Sequence, residues 1–292
     1  MFRSDKYCNR YETIPINLDT PIALPGDGVK QTKSGYQFTI NDRTSYFDWY
    51  NAYFQVGFKV NKLADGADFG AGDKIAMIND AASIINELQV KQNGKIVYDG
   101  NSLFRVTNVK SLLELSKDYV ESCGTSEYFY LDVTDEADSD AGHNTGFTIR
   151  KTLIQDNNIV NAIIPLNKLS FFEGLETNML PPSQIQLSLQ LTDDDTLIYR
   201  AAAADPGRVV VTKLVLWIPR MLFNEDGLSY VMENYMKPLQ WSYLREMVQE
   251  SVSSKQVESV FNITAGVKSP KHAFIYLQRT ARSISQEQNP HM

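Results

Sequence analysis

Acid–base catalysis near neutral pH calls first on histidine, and the sequence holds three: His143, His272 and His291. His143 lies in a polar loop, His272 beside a strand-like run, and His291 next to the C-terminal residue. A nucleophile, a base and an orienting acid must converge to make a triad, and no GxSxG turn is present to lift a serine into reach. A surface or strand-edge place is expected for His272, and no catalytic residue is assigned. The pattern GxxxxGK[ST] is absent, and the glycines of residues 66–72 (GADFGAG) lack both the spacing and the βαβ setting of a dinucleotide loop. No CxxC or HExxH occurs to hold zinc.

Three acidic clusters invite a metal or acid–base reading. Residues 63–73 (LADGADFGAGD) space aspartates as a calcium loop does, but the late glutamate is missing, so an exposed loop is expected. Asp138, Asp140 and His143 fall within 134–146 (TDEADSDAGHNTG), read as a solvated loop. Asp193, Asp194 and Asp195 read as a turn between strands. No metal site and no cofactor are expected. The basic run 278–282 (QRTAR) is read as a strand edge or an intersubunit salt bridge, and Asn262-Ile263-Thr264 as a sequon left unmodified.

The elements that carry these residues are mostly strands. Hydrophobic residues make up 43% of the 292, charged residues 22%, and aromatics 11%, a globular balance that favours pleated, half-buried surfaces. Net charge is −7, with no long Lys/Arg block, so direct nucleic-acid binding is not expected. Cys8 and Cys123 are too few for a disulfide framework. The start, MFRSDKYCNRYE, has no apolar signal-peptide region and no stretch is long and apolar enough to span a bilayer, so synthesis inside the cell is expected.

Residues 1–35 read as an extended N-terminal arm, best ordered by a neighbour. Tyr36–Ile40 alternates as a strand, and Tyr46–Val60 reads as one further aromatic strand. Asn79 or Asp80 is expected to cap a short helix that buries Ile84, Ile85 and Leu88. Asn93-Gly94 between two alternating runs predicts a hairpin, because both turn positions need positive φ. Asn108–Ser122 gives the strongest helical pattern, with Asn108 as cap, Leu112, Leu113, Leu115 and Tyr119 as the buried face, and Gly124 as stop. Tyr128–Val133 is strand-like.

From Phe147 onward strands are expected at FTIRKTLI, NAIIPL, QIQLSLQL, TLIYRA and RVVVTKLVLWIP, with turns at 180–183 and 205–207. So many strands with few intervening helices indicate a sandwich or barrel rather than a parallel α/β sheet. A short helix is expected over Asp226–Met236, ended by Pro238. A second strand series follows in WSYLREMVQES, VESVFNITAGV and KHAFIYLQRTAR, and then the sequence stops. An unfinished sheet leaves an open edge, so either the polypeptide continues or these strands dock on a partner.

Three stretches together resemble the double jelly-roll major capsid proteins of polinton/adintovirus-type eukaryotic DNA viruses. They are NDAASIINELQVKQNGKIVYDG, then RVVVTKLVLWIPRM, then WSYLRE followed by FNITAGVKSPKHAFIYLQRTARSISQEQNP. The second is similar to the last strand of the first roll, the third to the opening of the second roll. The resemblance implies a mainly β chain: an antiparallel jelly-roll β-sandwich with a few short helices, plus the opening strands of a second jelly roll. The expected boundaries are the arm at 1–35, the first jelly-roll domain at 36–237, and the start of a second, incomplete one at 238–292. It implies a non-enzymatic structural role as a major capsid protein, or a fragment or endogenised copy of one. The implied partners are the protein itself, as a homotrimer of pseudo-hexagonal outline, neighbouring capsomers in an icosahedral shell, and penton or minor capsid proteins. The implied location is the virion. Two other readings are open at this point: a jelly-roll module that binds a ligand or carbohydrate, for which YFDWYNAYF would supply an aromatic platform, and an enzyme on a β scaffold, which would need a deep pocket with two or more convergent titratable groups.

Overall fold

A computed structural model describes residues 8–234, except 135–136, 138–143, 157, 177 and 202, together with 243, 245 and 248. Among these residues are eleven strands: β1 (Cys8–Asn17), β2 (Tyr36–Ile40), β3 (Tyr46–Phe47), β4 (Tyr53–Lys62), β5 (Ile75–Met77), β6 (Ile85–Gln92), β7 (Lys95–Gly100), β8 (Val160–Pro165), β9 (Ile185–Leu191), β10 (Ile198–Arg200) and β11 (Gly207–Phe223). The described residues also form six α-helices: α1 (Leu103–Glu114), α2 (Lys117–Glu121), α3 (Thr145–Leu153), α4 (Ser170–Glu173), α5 (Asp194–Leu197) and α6 (Glu225–Asn234).

One sheet runs β1-β11-β4-β8, with β3 also on β11; the other runs β2-β9-β6-β7. Every pairing is antiparallel. With the short strands β3, β5 and β10 set aside, the order in one sheet is first, eighth, third, sixth, and in the other second, seventh, fourth, fifth. That is the strand order of a jelly roll, two interlocked Greek keys closed into a sandwich. The fold is therefore mainly β, an antiparallel jelly-roll sandwich with short helices.

Alternation builds the core. β9 (IQLSLQL) and β2 (YQFTI) bury every second residue, and Phe38 of β2 meets Phe54 of β4 across the sheets at 5.4 Å between ring centroids. The sandwich interior is one hydrophobic cluster that includes Phe58, Leu88, Val90, Ile164, Leu187 and Leu216. The β6–β7 hairpin turns on Asn93 (φ 49°) and Gly94 (φ 79°), as the sequence predicts. Asp80 caps a 3-10 turn, Ala81–Ile84, by accepting from Ala82 N at 2.9 Å; Ile84, Ile85 and Leu88 are buried, but Ile85 and Leu88 belong to β6 and not to the helix expected there. Proline is awkward in a central strand, yet Pro219 fits in β11. It falls after β4 stops pairing at Trp217 and before β3 begins at Arg220, where no ladder donor is needed on that side.

Several expectations change. The arm predicted over 1–35 is largely built into the roll. Residues 8–17 form β1 in register with β11 from Cys8↔Phe223 to Asn17↔Val215, and Ile14, Ile16, Leu18 and Ile22 pack on the core. The roll therefore starts at β1 rather than at residue 36. The aromatic run 46–60 is two strands, because Asp48 accepts from the backbone and side chain of Asn51 and turns the chain between them. Residues 147–154 are helical, not extended: Phe147, Arg150, Lys151 and Ile154 are buried at a spacing of one helix face, and the Asn144 side chain caps Phe147 N.

The helix expected over 108–122 begins earlier, at Leu103, and breaks at Leu115–Ser116, where Ser116 caps α2. Its buried residues are Leu103, Thr107, Asn108 and Ser111, whereas Leu112 and Leu113 face solvent. The structure pulls the polar stripe inward because it has buried polar partners to meet. Tyr128–Val133 forms no strand; Tyr128 takes φ 59° after the 3-10 turn Cys123–Glu127. TLIYRA divides into the end of α5 and β10. The predicted second strand series, 238–292, lies outside the described residues apart from 243, 245 and 248.

Candidate functional site: a buried charge network beneath the inserted segment

Between β7 and β8 the chain inserts residues 101–159, carrying α1, α2, the 3-10 turn Cys123–Glu127 and α3. The insertion is fastened to the sandwich by charged side chains that form a buried polar cluster.

Lys168 follows β8 in a 3-10 turn, and its Nζ lies 2.8 Å from Asp80 Oδ2 and 2.5 Å from Glu127 Oε2. It also sits 5.7 Å from the centre of the Phe129 ring. Asp80 accepts further from Ser111 Oγ of α1 at 3.0 Å, and Glu127 from the Tyr119 hydroxyl of α2 at 2.5 Å. Asp80 takes φ 69°, a costly backbone for a residue with a side chain, and these bonds hold it there. Burial works to strip the Lys168 charge, but Asp80 and Glu127 outweigh it and hold the ammonium above the ordinary lysine value. Burial, then the Glu127 carboxylate, push the Tyr119 hydroxyl up, so it stays a protonated donor.

Arg150 of α3 is fully buried. Its Nε donates to Met77 O, Nη1 to Asn79 Oδ1 and Tyr130 O, and Nη2 to both oxygens of Asp132 at 3.0 and 2.9 Å. All five N–H donors of the guanidinium are used within the fold. Asn79 Oδ1 also accepts from Tyr130 N at 3.0 Å. Lys110 of α1 pairs with Glu173 of α4 at 2.5 Å.

Such a network can hold elements together; it has little left with which to act on a substrate. Its carboxylates face the protein's own cations and hydroxyls, and Arg150 has no free donor. A half-open depression of about 310 Å³ nearby is lined by Tyr128, Tyr130, Thr152 and residues 158–161 among others, none of them a charged member of the network. Among the described residues no three His, Cys, Asp or Glu side chains converge to hold a metal.

The other sites singled out in the sequence fall apart or serve the scaffold. In the 63–73 loop, Asp65 closes a turn on Ala67 N, Asp73 on Gly70 N, and Asp68 accepts from Asn61. Asp193 precedes α5, Asp194 is buried against Lys33 at 2.7 Å and accepts from Val209 N, and Asp195 meets Lys30 at 3.2 Å. In the aromatic run, Tyr46, Phe47, Trp49 and Phe54 are buried, with Trp49 stacked on Phe172 at 5.6 Å, so the run packs the core instead of offering an open platform. The thiols of Cys8 and Cys123 are both free, the first half-buried and the second exposed. Asp138, Asp140, His143, His272, His291, the basic run 278–282 and the sequon 262–264 lie outside the described residues. No described helix is long and apolar enough to cross a membrane.

The network itself was not singled out from sequence beyond Asp80 as a cap. The available signal was a cation within an apolar run: Arg150 in FTIRKTLI and Lys168 in IIPLNKLSFF.

No protein-family model matches the sequence. No curated protein matches it either. Solved structures do. VP54 of PBCV-1, fitted into a reconstruction of the virophage Sputnik, is similar at 14% identity and a TM-score of 0.43, over 77% of this chain and 45% of that one. A chain of the Sputnik virophage is similar at 9% identity and a TM-score of 0.48, over 76% of this chain and 49% of that one. The Faustovirus major capsid protein is similar at 10% identity and a TM-score of 0.46, over 77% of this chain and 56% of that one. The chain thus spans about half the length of the solved structures it matches.

Proposed function

We propose that this chain is a structural subunit of a viral capsid, carrying the first jelly roll of a double jelly-roll major capsid protein of the polinton/adintovirus type. The observation that carries the reading is the strand order, first-eighth-third-sixth against second-seventh-fourth-fifth, with a long helical insertion between the fifth and sixth strands. A fold alone does not give a function. The sequence resemblance in NDAASIINELQVKQNGKIVYDG, RVVVTKLVLWIPRM and the FNITAGV region supplies the direction.

In this reading residues 238–292 open a second roll. Three copies of the two-roll subunit form a trimer of pseudo-hexagonal outline, trimers tile an icosahedral shell with penton and minor capsid proteins, and the protein resides in the virion. The insertion 101–159 and the 63–73 loop lie on the outer or intersubunit face. The subunit acts by shape: a rigid sandwich presents lateral surfaces, and a symmetric assembly repeats the same contacts. The ligand-binding alternative loses its platform, because most of the aromatic run is buried.

The test is light scattering across a concentration series, with this chain beside a longer polypeptide that carries a complete second roll, followed by negative-stain imaging. A discrete trimer of pseudo-hexagonal outline from the longer chain is the expected result. Monomers from both at every concentration would overturn the shell role.

A further inference from the structure

We propose that the outer face of the β1-β11-β4-β8 sheet is a contact surface for a second copy of this chain, through an uncharged apolar band that crosses all four strands. The partner's identity rests on the shell reading above; the surface itself comes from the sheet register.

Pro15 of β1 stands opposite Trp217 of β11, Trp217 opposite Tyr53 of β4, and Tyr53 opposite Pro165 of β8. The next row on the same face is Asn17, Val215, Gln55 and Ile163. Side chains alternate between the faces of a sheet, and Ile14, Ile16, Phe54, Ile164, Leu216 and Ile218 pack on the core, so both rows point outward. The Trp217 and Tyr53 rings lie 6.5 Å apart and 17° from parallel, and the indole Nε1 donates to Gln55 Oε1 at 3.1 Å. The indole N–H is satisfied within the sheet, so the band offers a partner chiefly ring and aliphatic surface.

The other sheet shows what a solvated outer face looks like in this chain. Its rows are Gln37, Ser188, Gln89 and Asp99, then Thr39, Gln186, Lys91 and Ile96. All but Ile96 are polar, whereas in the band all but Asn17 and Gln55 are apolar or aromatic. The chain covers one end of the banded face itself, where Met221 and Phe223 of β11 pack with Val231 of α6. Beyond that end Trp217, Tyr53, Val215, Ile163 and Pro165 are half-buried and Pro15 is exposed.

Three points select a second copy, lying on the face. The chain carries a net charge of −7, so two copies repel, and the band, which holds no charged side chain, is where they approach at least cost. Pro15 lies on one edge strand and Pro165 ends the other, so strand addition is hindered at both ends of the row. The open stretch spans four strands and residues 213–219 of β11. Such a stretch measures roughly 19 by 23 Å and buries about 900 Å² counting both partners. That is the size of a weak contact, and a symmetric assembly that repeats it needs no stronger one.

The test is photo-crosslinking on the full chain, with benzoylphenylalanine in place of Ile163 and, in a separate protein, of Gln89 on the polar outer face. Each is irradiated over a concentration series as an equal mixture of isotope-labelled and unlabelled protein, and cross-linked peptides are mapped by mass spectrometry. Expected are cross-links between isotope pools from position 163, rising with concentration and well above those from position 89. Trp217→Arg is expected to lower their yield about tenfold or more, with the circular-dichroism spectrum unchanged. Val215→Arg, which keeps the Trp217–Gln55 bond, carries the same expectation and decides the matter if Trp217→Arg does not fold. No cross-link between pools from position 163, equal yields from 163 and 89, or a yield untouched by the arginine variants would overturn the proposal. Cross-links within one pool alone would put part of the same chain on the band and also overturn it. A discrete trimer of the longer two-roll polypeptide beside any of these results would leave the shell role standing, so the two fail separately.

Discussion

Gln31 pairs with Val211 as a neighbouring strand would: its Oε1 accepts from Val211 N at 2.8 Å and its Nε2 donates to Val211 O at 2.9 Å. β1 pairs with β11 only from Val215 onward, so among the described residues the first part of β11 has no strand on that side. One buried side-chain amide fills the place. Gln31→Ala leaves a buried donor and acceptor unmet, at about 1–3 kcal/mol each. Urea unfolding followed by circular dichroism is expected to show a loss of at least about 2 kcal/mol, with the denaturant slope unchanged. Gln31→Glu keeps the acceptor and loses the donor, and is expected to do further damage by placing a charge there. Wild-type stability in either variant would mean that the amide contributes nothing.

Lys168→Met removes the cation from between Asp80 and Glu127 and leaves two buried carboxylates facing each other. Breaking a buried pair in this way costs ~3–5 kcal/mol. The insertion 101–159 is expected to loosen first, visible as earlier proteolytic cuts there than in β9. The pH dependence has a definite sign. The folded-state pKa of Lys168 is raised above the ordinary 10.5, so its contribution is complete below pH 10.5 and is lost as pH rises through the higher folded value. Alkaline unfolding should therefore come earlier relative to neutral stability in the wild type than in the Met variant.

Asp42 gives an acid-side counterpart. Partial burial works to raise its pKa, but hydrogen bonds from the hydroxyls and backbone of Ser45 and Thr44 win and bring it from 3.8 to about 2. Its contribution is present above pH 3.8 and is lost as pH falls toward 2. Solvent screening of this partly exposed carboxylate holds the size to about 1 kcal/mol or less. Asp42→Asn should flatten the stability profile in that window, and an unchanged slope would remove Asp42 from the account.

Gly146→Ala tests how closely α3 approaches the 128–134 segment. A Cβ at this position would sit 2.1 Å from Leu131 O and 2.7 Å from Tyr130 O, both backbone atoms that cannot swing aside. The helix must shift, and with it Arg150, which bonds Tyr130 O and Asp132. A loss of several kcal/mol, or failure to fold, is expected by analogy with other overpacked or network-breaking changes. A melting temperature equal to that of the wild type would show that the contact is looser than it stands.

The strands that alternate over a half-buried face were legible in the sequence: β2, β6 with β7, β8, β9 and β11 all follow the period-two pattern or the Asn-Gly turn signal. The inserted segment was not. Its buried faces carry Asn108, Ser111, Arg150 and Lys151, and a reading that puts apolar residues inside turns α1 the wrong way and takes FTIRKTLI for a strand. What decides these faces is the company of Asp80, Asn79 and Asp132, which come from elsewhere in the chain. β1 was hidden for a related reason. It carries Pro15 and two charges, Arg10 and Glu12, and only the long β11 beside it makes it a strand. The charge network was legible only as isolated cations in apolar runs, with nothing in the spacing to name their partners.

β11 lies between β1 and β4, although among the described strands it is the last to be made and β1 the first. On the ribosome, the two earlier strands have no common neighbour until residues 207–223 emerge, and they wait across a gap of about two strand spacings, roughly 10 Å. The closing contacts join residues at opposite ends of the described chain, the kind of topology that folds slowly. A nascent chain that has not yet delivered Gly207–Phe223 presents β1 without its partner and β4 open on the side away from β8, and so needs shelter from its neighbours on the same message. The strand that makes the sandwich rigid also makes its synthesis the most exposed interval in its life.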